Sequence, residues 1–161
     1  MGKVIDMGRS VRFFAVLLCV VFFAVSCDSL TLSPDLTIVN LKITATDDLN
    51  PDASGRPSPL QVQIFELKQT GLFDSADFRA LLDSPEAVLK SDLVSVDRVV
   101  LQPGKSTERK WQVAAEAQFV GIAASYRNLN TAVWRTVIAV APEETTTSVI
   151  FADSDGLVVG E

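Results

Sequence analysis

Cys27 carries the clearest chemistry in this sequence. It closes an apolar run from Phe13 to Val25 and Ser26, and Lys3, Arg9 and Arg12 stand before that run. A basic start, an apolar stretch and small residues at the cut are the layout of a secretory signal. A cysteine at that cut takes a diacylglycerol on its thiol and becomes the new N-terminus. The residue expected to react is therefore also the one expected to hold a membrane. The apolar stretch from Val11 to Val25 is short of the roughly 20 residues a spanning helix needs. Cys19 follows Leu18, which is too large for the cleavage pocket, whereas Ala24 is tolerated three residues before Cys27. Several acyl chains, at about 0.8 kcal/mol per buried methylene, make such an anchor stable. The expected organisation is a signal peptide over 1–26, a lipidated tether over 27–35 and a folded domain over 36–161.

Most other chemistry is closed off by composition. The chain contains no histidine. That removes a histidine general base, a Ser-His or Cys-His nucleophile pair and a His-ligated metal. After cleavage Cys27 is the sole cysteine and carries lipid, so no disulfide forms within the chain. Only carboxylates remain for catalysis. Asp74 and Asp77 are close in sequence, but helix capping accounts for them. Asp153-Ser154-Asp155-Gly156 starts like a calcium loop, lacks the later oxygen ligands, and reads as a turn. There is no Gly-rich phosphate loop. No enzyme activity, cofactor, metal or small-molecule substrate is expected. The whole chain has a net charge of −6; residues 1–26 hold three of its 14 basic and one of its 20 acidic residues, which leaves −8 on the rest. That balance argues against nucleic acid and against direct adhesion to anionic lipid.

The elements that must position these residues are mainly strands. Val39, Leu41, Ile43 and Ala45 alternate with polar neighbours, as in a half-buried strand. Leu36 and Ile38 fall on the opposite phase, which predicts a bulge or bend near Val39. Asp47 to Pro59 breaks the pattern with three prolines and a glycine, and reads as a long loop. Leu60, Val62 and Ile64 begin a second strand. After Gly71 the apolar spacing becomes helical, which predicts a small helical insertion over about 71–90. Asp74 is expected as its N-cap and Asp77 in its first turn, with Pro85 as a break. Further strands are expected at Leu93–Leu101, Thr107–Ala114, Phe119–Tyr126, Ala132–Val140 and Thr145–Phe151, with an eighth at Leu157–Val159. Gln102-Pro103-Gly104-Lys105 fits a type II turn. The nearly unbroken apolar run Phe119–Ala124 suits a central strand covered on both faces. Seven to eight short strands with turns between them predict a mainly β fold, a β-sandwich. Trp111 and Trp134 are read as packing residues, and Arg127 and Arg135 as cross-links between strands or loops.

The order of several motifs resembles one family. These are Leu49-Asn50-Pro51-Asp52, Gly55-Arg56-Pro57-Ser58-Pro59-Leu60, Phe73-Asp74-Ser75-Ala76-Asp77-Phe78 with Leu81, Leu101-Gln102-Pro103-Gly104, Tyr126-Arg127 and Trp134-Arg135. Together they resemble the outer-membrane lipoproteins of bacterial type VI secretion systems, the TssJ family, also called SciN or VasD. The resemblance runs from about residue 36 to 151. It implies a transthyretin-like β-sandwich with an added helical element, anchored in the outer membrane through Cys27 and facing the periplasm. It implies one partner, the periplasmic C-terminal region of the IcmF-like inner-membrane protein TssM, and no catalysis. It implicates the loop between the first two strands in that contact, here Asp47 to Pro59, with Asn50, Pro51, Asp52, Arg56, Pro57 and Ser58 as its candidate residues. The prolines favour a preshaped loop. The same residues also fit a solvated crossover, with Arg56 pinning backbone carbonyls. Asp28 departs from the outer-membrane expectation, since in many bacteria an aspartate there retains a lipoprotein in the inner membrane. A second reading stays open beside this one: a periplasmic, transthyretin-like ligand-binding lipoprotein, which requires an apolar cleft with convergent polar groups.

Overall fold

Ile38–Ala45 forms strand β1, and its alternation is what buries it: Val39, Leu41, Ile43 and Ala45 face inward while Lys42 is exposed. The computed structural model describes residues 36–160. The signal peptide, Cys27, Asp28 and the tether lie outside the described residues.

The remaining strands are β2 (Leu60–Leu67), β3 (Leu93–Leu101), β4 (Ser106–Gln112), β5 (Phe119–Ala124), β6 (Arg135–Ala139), β7 (Thr145–Ala152) and β8 (Leu157–Val159). They make two four-stranded sheets, ordered β4-β1-β7-β8 and β3-β2-β5-β6. β1 and β7 run parallel; the other pairs are antiparallel. Inward residues of both sheets, among them Leu41, Ile43, Leu60, Val62, Ile122 and Ile150, fill the core between them. The fold is the mainly β sandwich that the strand pattern predicts.

Two local expectations are corrected. No bulge occurs near Val39: β1 pairs without a break from Ile38 to Thr44 on β4 and to Ala45 on β7. Leu36 simply precedes the strand and is exposed. The irregularity lies between Glu66 and Leu67, where pairing jumps from Ser95 to Leu93 and leaves Val94 as the extra residue. The sixth strand is also shorter than the apolar run suggests. Val133 leaves the sheet to bridge Gly156, so β6 starts only at Arg135.

The outer face of the β2-β5 sheet is covered by three short helices: α1 (Gly71–Ser75), α2 (Phe78–Asp83) and α3 (Pro85–Leu89), followed by a 3₁₀ turn at Lys90–Asp92. Phe65, Leu67 and Ala123 on the sheet meet Phe73, Leu81, Leu82 and Leu89 in a second core. The expected cap is corrected here. Asp74 lies inside α1, and the chain opens to extended geometry at Ala76 and Asp77. Asp77 is thus the N-cap of α2, its carboxylate accepting from the N–H groups of Arg79 and Ala80 at 3.0 and 3.2 Å. Pro85 starts α3 at its first position, where its missing N–H costs nothing.

Gly121 lets this layer sit close. A Cβ there would lie 2.9 Å from Leu67 Cδ1 and from the Phe73 ring. Arg135 clamps the layer from the other side. Its Nη1 donates to the carbonyls of Phe73 and Ala76 at 2.9 and 3.0 Å, which satisfies the open end of α1. Its guanidinium lies 4.6 Å from the Trp134 ring centre, and Trp134 meets Phe78 edge-on at 5.2 Å.

At the end of the sandwich where β1 begins, Glu66 joins the two sheets. It is only 8% exposed. It accepts from the Trp111 indole N–H at 2.9 Å and from the Ala114 N–H at 3.1 Å.

Candidate functional site

The opposite end of the sandwich gathers the β1–β2 loop, the β3–β4 turn, the β5–β6 loop and the β7–β8 turn. The β3–β4 turn closes through a bond from Lys105 N–H to Gln102 O at 3.1 Å, with Gly104 in the left-handed region (φ +70°) that a type II turn requires. Gly104 N–H and Lys105 O bond Thr46 O and Ala45 N–H, so this turn holds the base of the β1–β2 loop.

The β1–β2 loop is internally bonded along its length. Leu49 plugs it into the core and is fully buried. Asn50 follows in left-handed backbone (φ +46°) and is 4% exposed. Its Nδ2 donates to Pro59 O at 3.1 Å, and its Oδ1 accepts from Arg127 N–H at 2.9 Å. One amide thereby closes the loop on itself and ties it to the β5–β6 loop. Ser58 is buried as well; its N–H bonds Leu49 O at 3.0 Å and its hydroxyl donates to Arg56 O at 3.3 Å.

Asp52 organises the tip. Its Oδ1 accepts from the N–H groups of Ser54 and Arg56 at 2.8 and 3.0 Å, and its Oδ2 from Arg56 Nε at 2.9 Å, with Nη2 at 2.8 Å. The Arg56 N–H, then its guanidinium, then the Ser54 N–H hold the Asp52 carboxyl below the usual carboxylate range. Arg56 therefore grips a carboxylate, not the backbone carbonyls that a pinning role suggests. Gly55 turns the tip in left-handed backbone (φ +75°). Ala53 to Pro57 are exposed, so the loop displays a short, ordered tip.

Pro51, Asp52 and Ala53 form one wall of an open cleft of about 600 Å³. Arg127, Asn128 and Thr131 of the β5–β6 loop and Ser154 and Asp155 of the β7–β8 turn complete it. That last turn is the one the sequence suggests: Asp153 Oδ1 accepts from the N–H groups of Asp155 and Gly156 at 2.7 and 2.9 Å. Of the sequence-predicted residues, Pro51 and Asp52 line the cleft, Arg56 and Pro57 project at the tip, and Asn50 and Ser58 are buried supports. Asn128 and Thr131 carry no motif in the sequence, and Ser154 and Asp155 show there only as a turn; that all four reach this cleft depends on which loops the topology brings to one end.

A rigid sandwich that displays an ordered loop beside a polar cleft is a docking scaffold in form. Among the described residues no group of three or more acidic side chains could hold a metal, and no helix is long and apolar enough to cross a membrane. The chain belongs to the type VI secretion lipoprotein family (VasD, EvfM, TssJ), whose family model matches residues 37–155. The fold matches the crystal structure of the T6SS lipoprotein TssJ1 from Pseudomonas aeruginosa with a TM-score of 0.76 and 31% identity, covering 78% of this chain and 95% of that one. Serratia marcescens Lip, a membrane-bound component of the type VI secretion system, matches with a TM-score of 0.73 over 78% of this chain and 98% of Lip; its 24% identity speaks for the fold. A chain of the structure described as the T6SS protein TssM C-terminal domain (869–1107) from EAEC matches with a TM-score of 0.65 and 29% identity, over 78% of this chain and 99% of that chain. No curated protein is similar enough to count as a relative.

Proposed function

We propose that this lipoprotein is the lipid-anchored assembly component of a type VI secretion membrane complex, held in the outer membrane by acylated Cys27. Its domain faces the periplasm and docks the C-terminal periplasmic region of an IcmF-like, TssM-type inner-membrane protein. The loop end of the sandwich makes that contact, through Pro51, Asp52, Arg56 and Pro57.

The observation that carries the reading is the β1–β2 loop, a preordered tip held by Asn50 and Asp52 on a fold of this secretion family. Preordering lowers the entropy lost when a partner binds. The match to a chain of the TssM-domain structure supports the partner. That chain is 99% covered by about 126 residues of this one (78% of 161), half of what 869–1107 spans, which fits a companion of this fold beside that domain. Six of the eight residues that line the cleft at the loop end are polar or charged, and Pro51 and Ala53 are its only apolar lining, too little for the apolar pocket of a small-molecule carrier.

Membrane fractionation tests the anchor and the partner together. The intact lipoprotein should sediment with outer membrane and bring the TssM-type protein with it after solubilisation. Cys27→Ser should release the domain to the soluble periplasm. Fractionation with inner membrane would make Asp28 the deciding residue and contradict the outer-membrane assignment.

A further inference from the structure

A second groove lies on the outer face of the β2-β5 sheet, away from the loop tip. The helical layer covers only part of that face. Next to it, Gln61 and Gln63 of β2 form the floor of an opening of about 450 Å³. Phe78 and Leu82 of α2 and Leu129 of the β5–β6 loop supply its apolar lining.

Gln63 is the first unusual feature. It is 2% exposed, and its Nε2 donates to Leu82 O at 3.0 Å. That bond fixes which end of the amide is oxygen. Oε1 then has no donor among the described residues. Buried acceptors are nearly always satisfied, so an acceptor left open beneath a groove calls for an N–H from a bound group.

Charge is the second. The domain is acidic, yet its arginines are not distributed evenly. Among the described residues, Arg56 and Arg109 are paired to Asp52 and Asp97, and Arg135 is spent on the carbonyls of α1. The other three, Arg79, Arg98 and Arg127, have no carboxylate partner within 4.0 Å among the described residues. Arg79 and Arg127 line the groove, and Arg98 is the cross-strand partner of Gln63. Asp83 is the sole carboxylate in the lining.

We propose that this groove binds an acidic, extended peptide segment of a protein partner. A backbone N–H of that segment bonds Gln63 Oε1, an apolar side chain packs between Phe78 and Leu129, and a carboxylate reaches Arg79 and Arg98. The three demands — an N–H donor, an apolar group and a negative charge within a few hundred Å³ — are met together by a short acidic peptide. A free anion meets only the last. The groove shares Arg127 with the loop-end cleft, but neither Asp52 nor Arg56 lines it, so docking through those two residues can stand or fall without it.

The test uses the full-length lipoprotein in dodecyl maltoside with two probes, acetyl-(Glu-Leu)₃-amide and acetyl-(Lys-Leu)₃-amide, and with free glutamate. NMR follows the Gln63 side-chain amide and the backbone amides of Phe78 and Leu129; empty micelles are the blank. The acidic peptide should shift all three saturably. Arg79→Glu with Arg98→Glu should weaken it at least about tenfold, as should exchange for the basic peptide. Gln63→Met, close in shape, should weaken it too; if that variant does not fold, the charge-reversed pair at the surface decides alone. Equal binding by the basic peptide, or no shift at these residues at millimolar peptide, overturns the proposal. So do saturation by glutamate alone, which makes the site one for small anions, and a shift pattern that tracks self-association, which makes it an interface between copies.

Discussion

Replacing Asn50 is the perturbation that most directly links loop order to docking. Asn50→Ala removes the bonds to Pro59 O and from Arg127 N–H. Each neutral bond contributes about 1 kcal/mol net, and a stranded buried partner adds to the cost. Left-handed backbone costs a residue with a Cβ about 1 kcal/mol more. The sum is about 3 kcal/mol. Asn50→Gly loses the same two bonds but not the backbone ease, so about 2 kcal/mol is expected. Against a usual domain stability of about 5–15 kcal/mol, both variants stay folded. Urea unfolding reads the difference. With an m-value of about 1.5–2 kcal/mol/M, Asn50→Ala should lower the midpoint by about 1.5–2 M and Asn50→Gly by about 1 M. Partner affinity should fall by about tenfold in both if about 1.4 kcal/mol of loop preordering is lost. Both variants lying within about 0.5 kcal/mol of the parent would refute the reasoning, because Asn50 would then not be holding the loop.

Further expectations follow from other contacts. Glu66→Ala strands the Trp111 and Ala114 N–H groups and should cost about 3–5 kcal/mol by denaturant titration; a loss under about 1 kcal/mol would mean the two sheets are not joined through this carboxylate. Gly121→Ala drives a methyl group into Leu67 and the Phe73 ring, and should cost about 1–3 kcal/mol with chemical-shift changes concentrated in α1. Asp52 is held below the usual carboxylate range, so its bonds to the loop are fully present above that range and are lost as pH falls through the depressed value. Carboxyl NMR should place its midpoint below the usual aspartate range, and Arg56→Gln should raise it only part of the way, since the Arg56 N–H, the larger cause, remains.

Much of the sandwich is legible in the sequence because a strand's alternation reports local burial. β1 and β2 show it, and Phe119–Ala124 reads as central because β5 is covered by core on one face and by helices on the other. What fails to show is geometry set by distant partners. Nothing near Glu66 announces that it will meet Trp111, 45 residues away, nor near Arg135 that it will cap α1. Asp74 looks like a cap as readily as Asp77 does. The choice depends on where the backbone opens, at Ala76, and no side-chain pattern marks that point. The loop is legible as a loop from its prolines and glycine. Its inner division of labour is not. Asn50 and Ser58 turn inward as supports while Arg56 and Pro57 turn outward, and all four are equally polar or turn-prone in sequence. The cleft beside it needs the topology, since its residues come from three loops spread over about 100 positions.

The central claim is that the β1–β2 loop is the docking element for the TssM-type partner. Calorimetric titration of the partner's periplasmic C-terminal region into the full-length lipoprotein tests it most directly, with the Asp47–Pro59 segment intact or replaced by a Gly/Ser linker of equal length. Binding should be saturable with the native loop and weaker by about 100-fold or more with the linker, while circular dichroism shows the same sandwich. Equal affinity for both forms would contradict the claim and move the contact to another face of the domain.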